Sequence, residues 1–143
     1  MFYFYTMETH YNLNDIDFTQ QFKQATLKPD LFTHEAHLRL AWVYIITYGI
    51  DIAIAHVCDQ LINYVSHLDA RDKYNKTVTV AAVKSVYHFM LKSSSDNFKD
   101  FIEEFPQLKT NFKGLLVQHY DIDVFKSEVA KSTFIEPNLL PFD

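Results

Sequence analysis

Two glycines, four prolines and one cysteine in 143 residues leave this chain short of everything that interrupts or cross-links a backbone. So few breakers argue against a disordered chain or a turn-rich β architecture, and they favour long helices. The lone Cys58 has no disulfide partner, and inside a helical pattern it reads as an inert buried thiol in a reducing compartment. A membrane span needs about 18 unbroken apolar residues, and His56, Asp59 and Gln60 interrupt the longest candidate. Basic clusters are missing too. Thirteen Lys and Arg lie scattered singly against eighteen Asp and Glu, giving a formal net charge of -5. That distribution counts against nucleic acid as a partner and against an anionic membrane surface. The N-terminal Met1-Phe2-Tyr3-Phe4-Tyr5-Thr6 is apolar but has no basic flank or small-residue cleavage site, so no signal peptide is expected. Met7 is an alternative start, and a cytoplasmic protein is expected.

What the chain does hold is apolar and aromatic: 48% hydrophobic, with thirteen Phe and nine Tyr. That is enough for one core at a length typical of one domain, residues 1–143. Phe18, Phe22 and Ala25 recur at helical spacing opposite Asp17, Gln20, Gln21 and Lys23, which predicts an amphipathic helix over 15–25. The central element is 33–48. Thr33 is its expected N-cap, Glu35 complements its dipole, Glu35 and Arg39 stand at i, i+4, and beyond Leu40 it is apolar nearly all round. Gly49 is placed to end it, and Asp51 to cap a helix running to about Leu68. His56 and His67 fall toward the watered side of that helix.

Thr77 or Thr79 is the expected cap of a second buried helix reaching about Lys92. Phe98, Phe101, Ile102 and Phe105 mark a short helix that Pro106 ends. Leu108, Phe112, Leu115 and Leu116 mark another that tolerates Gly114. The last helix is expected to start at Asp121 or Asp123 and to run through Val129, and beyond Lys131 the prolines predict an extended tail laid across the bundle. The expectation is an all-α, single-domain bundle of six or seven helices with an extended C-terminal tail.

No Gly-x-Ser-x-Gly elbow, Gly-rich phosphate loop or Glu-x-x-His pair occurs, and no stretch supplies a reaction class. The chemistry-bearing group is His34, Glu35 and His37 in the first turn of the central helix, and it has three readings. The first is metal binding by two imidazoles on one face, with His88, His119 or Glu128 as further ligands, although the His-Glu-x-x-His pattern is absent. The second is a small-molecule pocket, with histidines kept neutral near a helix N-terminus, Glu35 and Arg39 orienting them or holding a head group, and Trp42, Tyr44 and Tyr74 as walls. The third is packing, with both histidines satisfying backbone groups at a buried helix end. The leading function is binding of a small polar or anionic ligand. The rival is a structural or interaction protein that docks a partner through Phe2 to Tyr5 or the tail. No cofactor and no oligomeric state is indicated.

Phe32-Thr33-His34-x-x-His37-Leu38-x-x-Ala41-Trp42, then Tyr74-x-x-Thr77-x-Thr79, then Glu136-Pro137-Asn138-Leu139-x-Pro141, resembles a family of small bacterial proteins of uncharacterised function, from about Phe18 to Pro141. In that family a histidine often follows the tyrosine, where this chain carries Asn75. The resemblance implies no activity. It implies that His34, His37, Tyr74, Thr77 and Thr79 meet in space, which with Arg39 completes the candidate ligand-binding set. If Thr77 and Thr79 begin a helix as His34 does, two helix N-termini facing one cavity would favour an anion.

Overall fold

The computed structural model describes residues 8–142, so the expectations for Met1–Thr6 and Met7 lie outside the described residues. Eight α-helices occur among them: α1 (Asp15–Lys23), α2 (His34–Tyr48), α3 (Ile50–His67), α4 (Lys76–Met90), α5 (Phe98–Glu104), α6 (Gln107–Thr110), α7 (Phe112–Val117) and α8 (Glu128–Ser132). Short 3-10 turns at Thr9–Asn12, Pro29–Leu31 and Arg71–Lys73 lead into α1, α2 and α4. Among the described residues there is no strand, and no helix is long and apolar enough to cross a membrane.

Helices α2, α3 and α4 pack on one another and form the centre. Helix α2 is covered on nearly all sides because Ala36, Leu38, Leu40, Ala41, Trp42, Tyr44 and Ile45 point in several directions and all are buried. Helix α1 supplies Phe18 and Phe22, both fully buried, and α5 and α6 add Phe101 and Leu108, also fully buried. Each such side chain contributes roughly 1.5–3 kcal/mol by leaving water, so this cluster dominates the stability of the fold. A smaller cluster, Ala81, Phe112, Leu116, Tyr120, Val124, Ala130 and Phe142, lies between α4, α7, α8 and the tail.

Local signals explain the ends of the helices. Thr33 caps α2, its Oγ1 accepting from the Ala36 N–H at 3.2 Å. Gly49 separates α2 from α3 at φ +83°, a region other residues enter at a cost, while its N–H still reaches the Ile45 carbonyl at 2.8 Å. Asp51 therefore falls inside the first turn of α3 rather than at its cap.

Several boundaries differ from expectation. Asn75, not a threonine, caps α4, because its Oδ1 accepts from the Val78 N–H at 3.0 Å and Thr77 is drawn into the helix to serve the tail. Asn111 splits the helix expected through Leu108, Phe112, Leu115 and Leu116 into α6 and α7, and Gly114 is where the Asn111 side chain packs so closely that a Cβ would collide with it. The last helix starts only at Glu128, with Ser127 as cap, since residues 121–127 are used in turns.

The tail is extended and fastened as its composition suggested. Leu139 N–H donates to the His119 carbonyl at 3.0 Å, Tyr120 Oη–H donates to the Ile135 carbonyl at 2.6 Å, and Phe142 is buried against His119.

Candidate functional site

The start of α2 and the start of α4 open onto one cavity of about 470 Å³. Its walls are Phe32, His34, His37 and Ala41 from the α2 side, Val57, Leu61, Tyr64 and Val65 from α3, and Tyr74, Asn75, Val78, Thr79, Ala82 and Val83 from the α4 side, with Phe112 of α7 across from them. Most of this surface is apolar. Four of the six candidate residues line it: His34, His37, Tyr74 and Thr79.

His37 is the best-defined polar group. Its ring stacks on Phe32, with centroids 3.8 Å apart, and its Nδ1 lies 2.9 Å from the Thr33 carbonyl. A carbonyl only accepts, so Nδ1 carries the proton and Nε2 presents a bare lone pair. That lone pair has no partner among the described residues, and it is not among the atoms sealed from solvent. The imidazole pKa is lowered to about 4, chiefly by burial and further by the neighbouring His34, against an upward push from the Thr33 carbonyl. Burial rather than the helix dipole therefore keeps this histidine neutral, by the desolvation penalty on its charged form. His34 is more exposed; its Nε2 lies 3.0 Å from the Leu108 carbonyl and its ring leans on Phe112.

Tyr74 contributes its ring but not its hydroxyl, which is sealed from solvent and has no hydrogen-bond partner. The Cys58 thiol stands near enough to perturb it yet falls outside hydrogen-bond geometry, so the hydroxyl counts as unpartnered. Burial pushes the pKa of both groups up. Thr79 Oγ1–H donates to the Asn75 carbonyl at 2.7 Å and keeps lone pairs free. Asn75 lines the cavity but is spent on structure, since its Nδ2 donates to the Val124 carbonyl at 2.8 Å while its Oδ1 caps α4.

The cavity does not include the two other candidates. Thr77 is fully buried under the tail, donating to the Thr133 carbonyl at 2.8 Å and accepting from the Ile135 N–H at 3.0 Å. Arg39 points the other way and does not pair with Glu35. Its guanidinium donates to the carbonyls of His10 (2.7 Å) and Leu13 (2.8 Å) and grips Asp15 Oδ1 through Nε and Nη2 at 3.0 and 2.9 Å. The ring centroids of Phe18 and Tyr11 lie 4.6 and 5.5 Å from it. Trp42 and Tyr44 also face away from the cavity, Trp42 toward Phe98 and Tyr44 Oη onto Gln60.

Sequence reasoning missed the network that Arg39 joins. His10 is completely buried, its Nε2 lies 2.7 Å from Glu35 Oε2, and Lys109 Nζ reaches Glu35 Oε1 at 3.2 Å. The adjacent Glu8 accepts from Thr33 Oγ1. Among the described residues, Glu8, His10 and Glu35 are the one trio whose ligand atoms all lie within 4.8 Å of one another, the arrangement a metal ion would need. The protonation pattern opposes that use. Arg39 Nη1 stands 3.3 Å from His10 Nδ1 and can only donate, so Nδ1 is the acceptor, the proton sits on Nε2, and the metal-facing lone pair is occupied. A fixed guanidinium beside the site repels a cation as well. The trio is a clamp holding residues 8–15 against α2, and burial holds the His10 pKa down.

Compared with known proteins, the chain matches no family model, no curated protein and no solved structure. The fold and cavity define an all-α domain with one mostly apolar pocket where two of its central helices begin.

Proposed function

We propose that this protein binds a small organic molecule in the cavity between the starts of α2 and α4, its polar end toward His34, His37 and Thr79 and its apolar body among Val57, Leu61, Val78 and Val83. One observation carries the reading. A cavity of about 470 Å³ lies within the usual size of small-molecule sites, and it combines mainly apolar walls with a few convergent polar groups. Solid packing around the two histidines would have left no such space. No group in the cavity forms a nucleophile and base pair, so the reading is of binding, with no reaction assigned.

Thermal-shift screening of the wild-type protein against a metabolite panel, repeated on Ala82→Phe, tests it. Ala82 faces the cavity from α4, and a phenyl group there projects into it and takes up part of its space. A ligand at 100 times its Kd stabilises by about 2.7 kcal/mol, and the account expects hits that the Phe variant loses. Hits that persist in the variant place the site elsewhere.

The competing reading, an interaction protein without a ligand, draws on Ile16, Ile46 and Tyr48, which are exposed and border one groove between α1 and the end of α2. It expects no hits from the screen and self-association or partner capture that Ile46→Lys weakens.

A further inference from the structure

Three of the polar side chains that reach the cavity share one character. His37 Nε2 is a lone pair fixed by the Nδ1–H bond to the Thr33 carbonyl at 2.9 Å. Thr79 has already committed its proton to the Asn75 carbonyl at 2.7 Å, leaving only acceptor capacity. His34 donates from Nε2 to the Leu108 carbonyl at 3.0 Å, so in its neutral form the remaining Nδ1 is again an acceptor. The Tyr74 hydroxyl, a donor by type, is sealed in the wall. At each helix start one N–H is capped, that of Ala36 by the Thr33 side chain and that of Val78 by the Asn75 side chain, and the N–H groups of His37 and Thr79 turn back onto the Thr33 and Asn75 carbonyls. An anion set against His37, His34 and Thr79 would therefore meet lone pairs. Lys73, the one Lys or Arg on the wall, is exposed, where an ion pair contributes little. No Asp or Glu lines the cavity either, so an ammonium group would find no counter-charge.

We propose that the ligand is an uncharged amphipathic molecule that points a hydrogen-bond donor, a hydroxyl or an amide N–H, at His37 Nε2 while its apolar body fills the space between α3 and α4. This rests on the cavity being a ligand site. It departs from the anion preference that two facing helix starts would suggest, because the imidazole tautomer puts an acceptor, not a donor, on the cavity side of His37.

Three probes of one shape and different head groups test it: para-propylphenol (donor), para-propylanisole (acceptor only) and para-propylbenzoate (anion). Each is titrated at pH 7.5 into the wild-type chain and into His37→Phe, with binding followed by backbone amide shifts of Val57, Val78 and Ala82. The expected order is phenol about tenfold tighter than anisole, with benzoate weakest, and in His37→Phe the phenol advantage disappears while anisole still binds. Equal binding of phenol and anisole in the wild type, or benzoate bound tightest, overturns the head-group assignment and leaves the cavity standing. If none of the three perturbs those amides, the ligand-site reading falls and takes this inference with it. Should His37→Phe fail to fold, the wild-type ranking of the three probes still decides.

Discussion

Acid should weaken this fold through His37 in a way that one substitution removes. The imidazole titrates near 6.5 in an unfolded chain and at about 4 in the folded one, because burial penalises its charged form. Above pH 6.5 both states hold a neutral ring and the group contributes nothing to the pH dependence. As pH falls below 6.5 the unfolded chain takes up a proton that the folded chain refuses, and stability drains away until about pH 4, below which both states are protonated. The full loss is about 3.4 kcal/mol, and about 2 kcal/mol of it has occurred by pH 5. For a domain of this size that is a fall of about 6 °C in Tm. The buried His10, whose pKa is lowered as well, adds its own pH dependence, so the readout is a double difference: urea denaturation at pH 7.5 and pH 5.0 for the wild type and for His37→Gln. Glutamine keeps an amide donor for the Thr33 carbonyl and carries no proton in this range. The wild type should lose about 2 kcal/mol more than the variant between the two pH values. Equal losses would mean that His37 is solvated and freely protonated, and the fixed lone pair in the cavity would be wrong.

Arg39→Met should cost about 3 kcal/mol in urea denaturation, because it strips donors from two backbone carbonyls and from His10 Nδ1 and leaves Asp15 without its cation; a loss under about 1 kcal/mol would show the clamp to be ornamental. Thr77→Val removes both bonds that Thr77 makes to the tail, so stability should drop by about 1–3 kcal/mol and the Ile135 amide should exchange with solvent far faster, and unchanged exchange would refute the role. Asp69 ends α3 at φ +56° on the surface, and Asp69→Gly should raise stability by about 0.5 kcal/mol despite the added chain entropy. A decrease in denaturation midpoint would show that the aspartate is locally stabilised.

Much of the fold was legible because periodicity carries it: Phe18 and Phe22, the α2 run from Leu38 to Ile45, and Phe98, Phe101 and Ile102 all announce buried faces. Ends were harder. A threonine pair looks like a cap, and only tertiary structure shows that Asn75 takes that role while Thr77 holds the tail. The cavity's membership was partly readable, since the first turn of α2 and the Tyr74 to Thr79 stretch stood out by residue type. Arg39 was misplaced because helical spacing to Glu35 says nothing about partners 24 to 29 residues away in sequence, such as Asp15 and His10. His10 left no signal at all, lying in a short irregular segment whose burial depends entirely on α2. What no pattern can express is the tautomer of His37, which follows from the carbonyl one turn before it and sets the polarity of the site.

The most direct test of that polarity is a long-range proton–nitrogen correlation spectrum of the histidine side chains at pH 7.5, with and without para-propylphenol. The account expects His37 Nδ1 protonated and Nε2 bare in the free protein, with the Nε2 resonance moving upfield when the phenol is added. A protonated Nε2, an imidazolium, or a bare Nε2 that the phenol leaves untouched would contradict it.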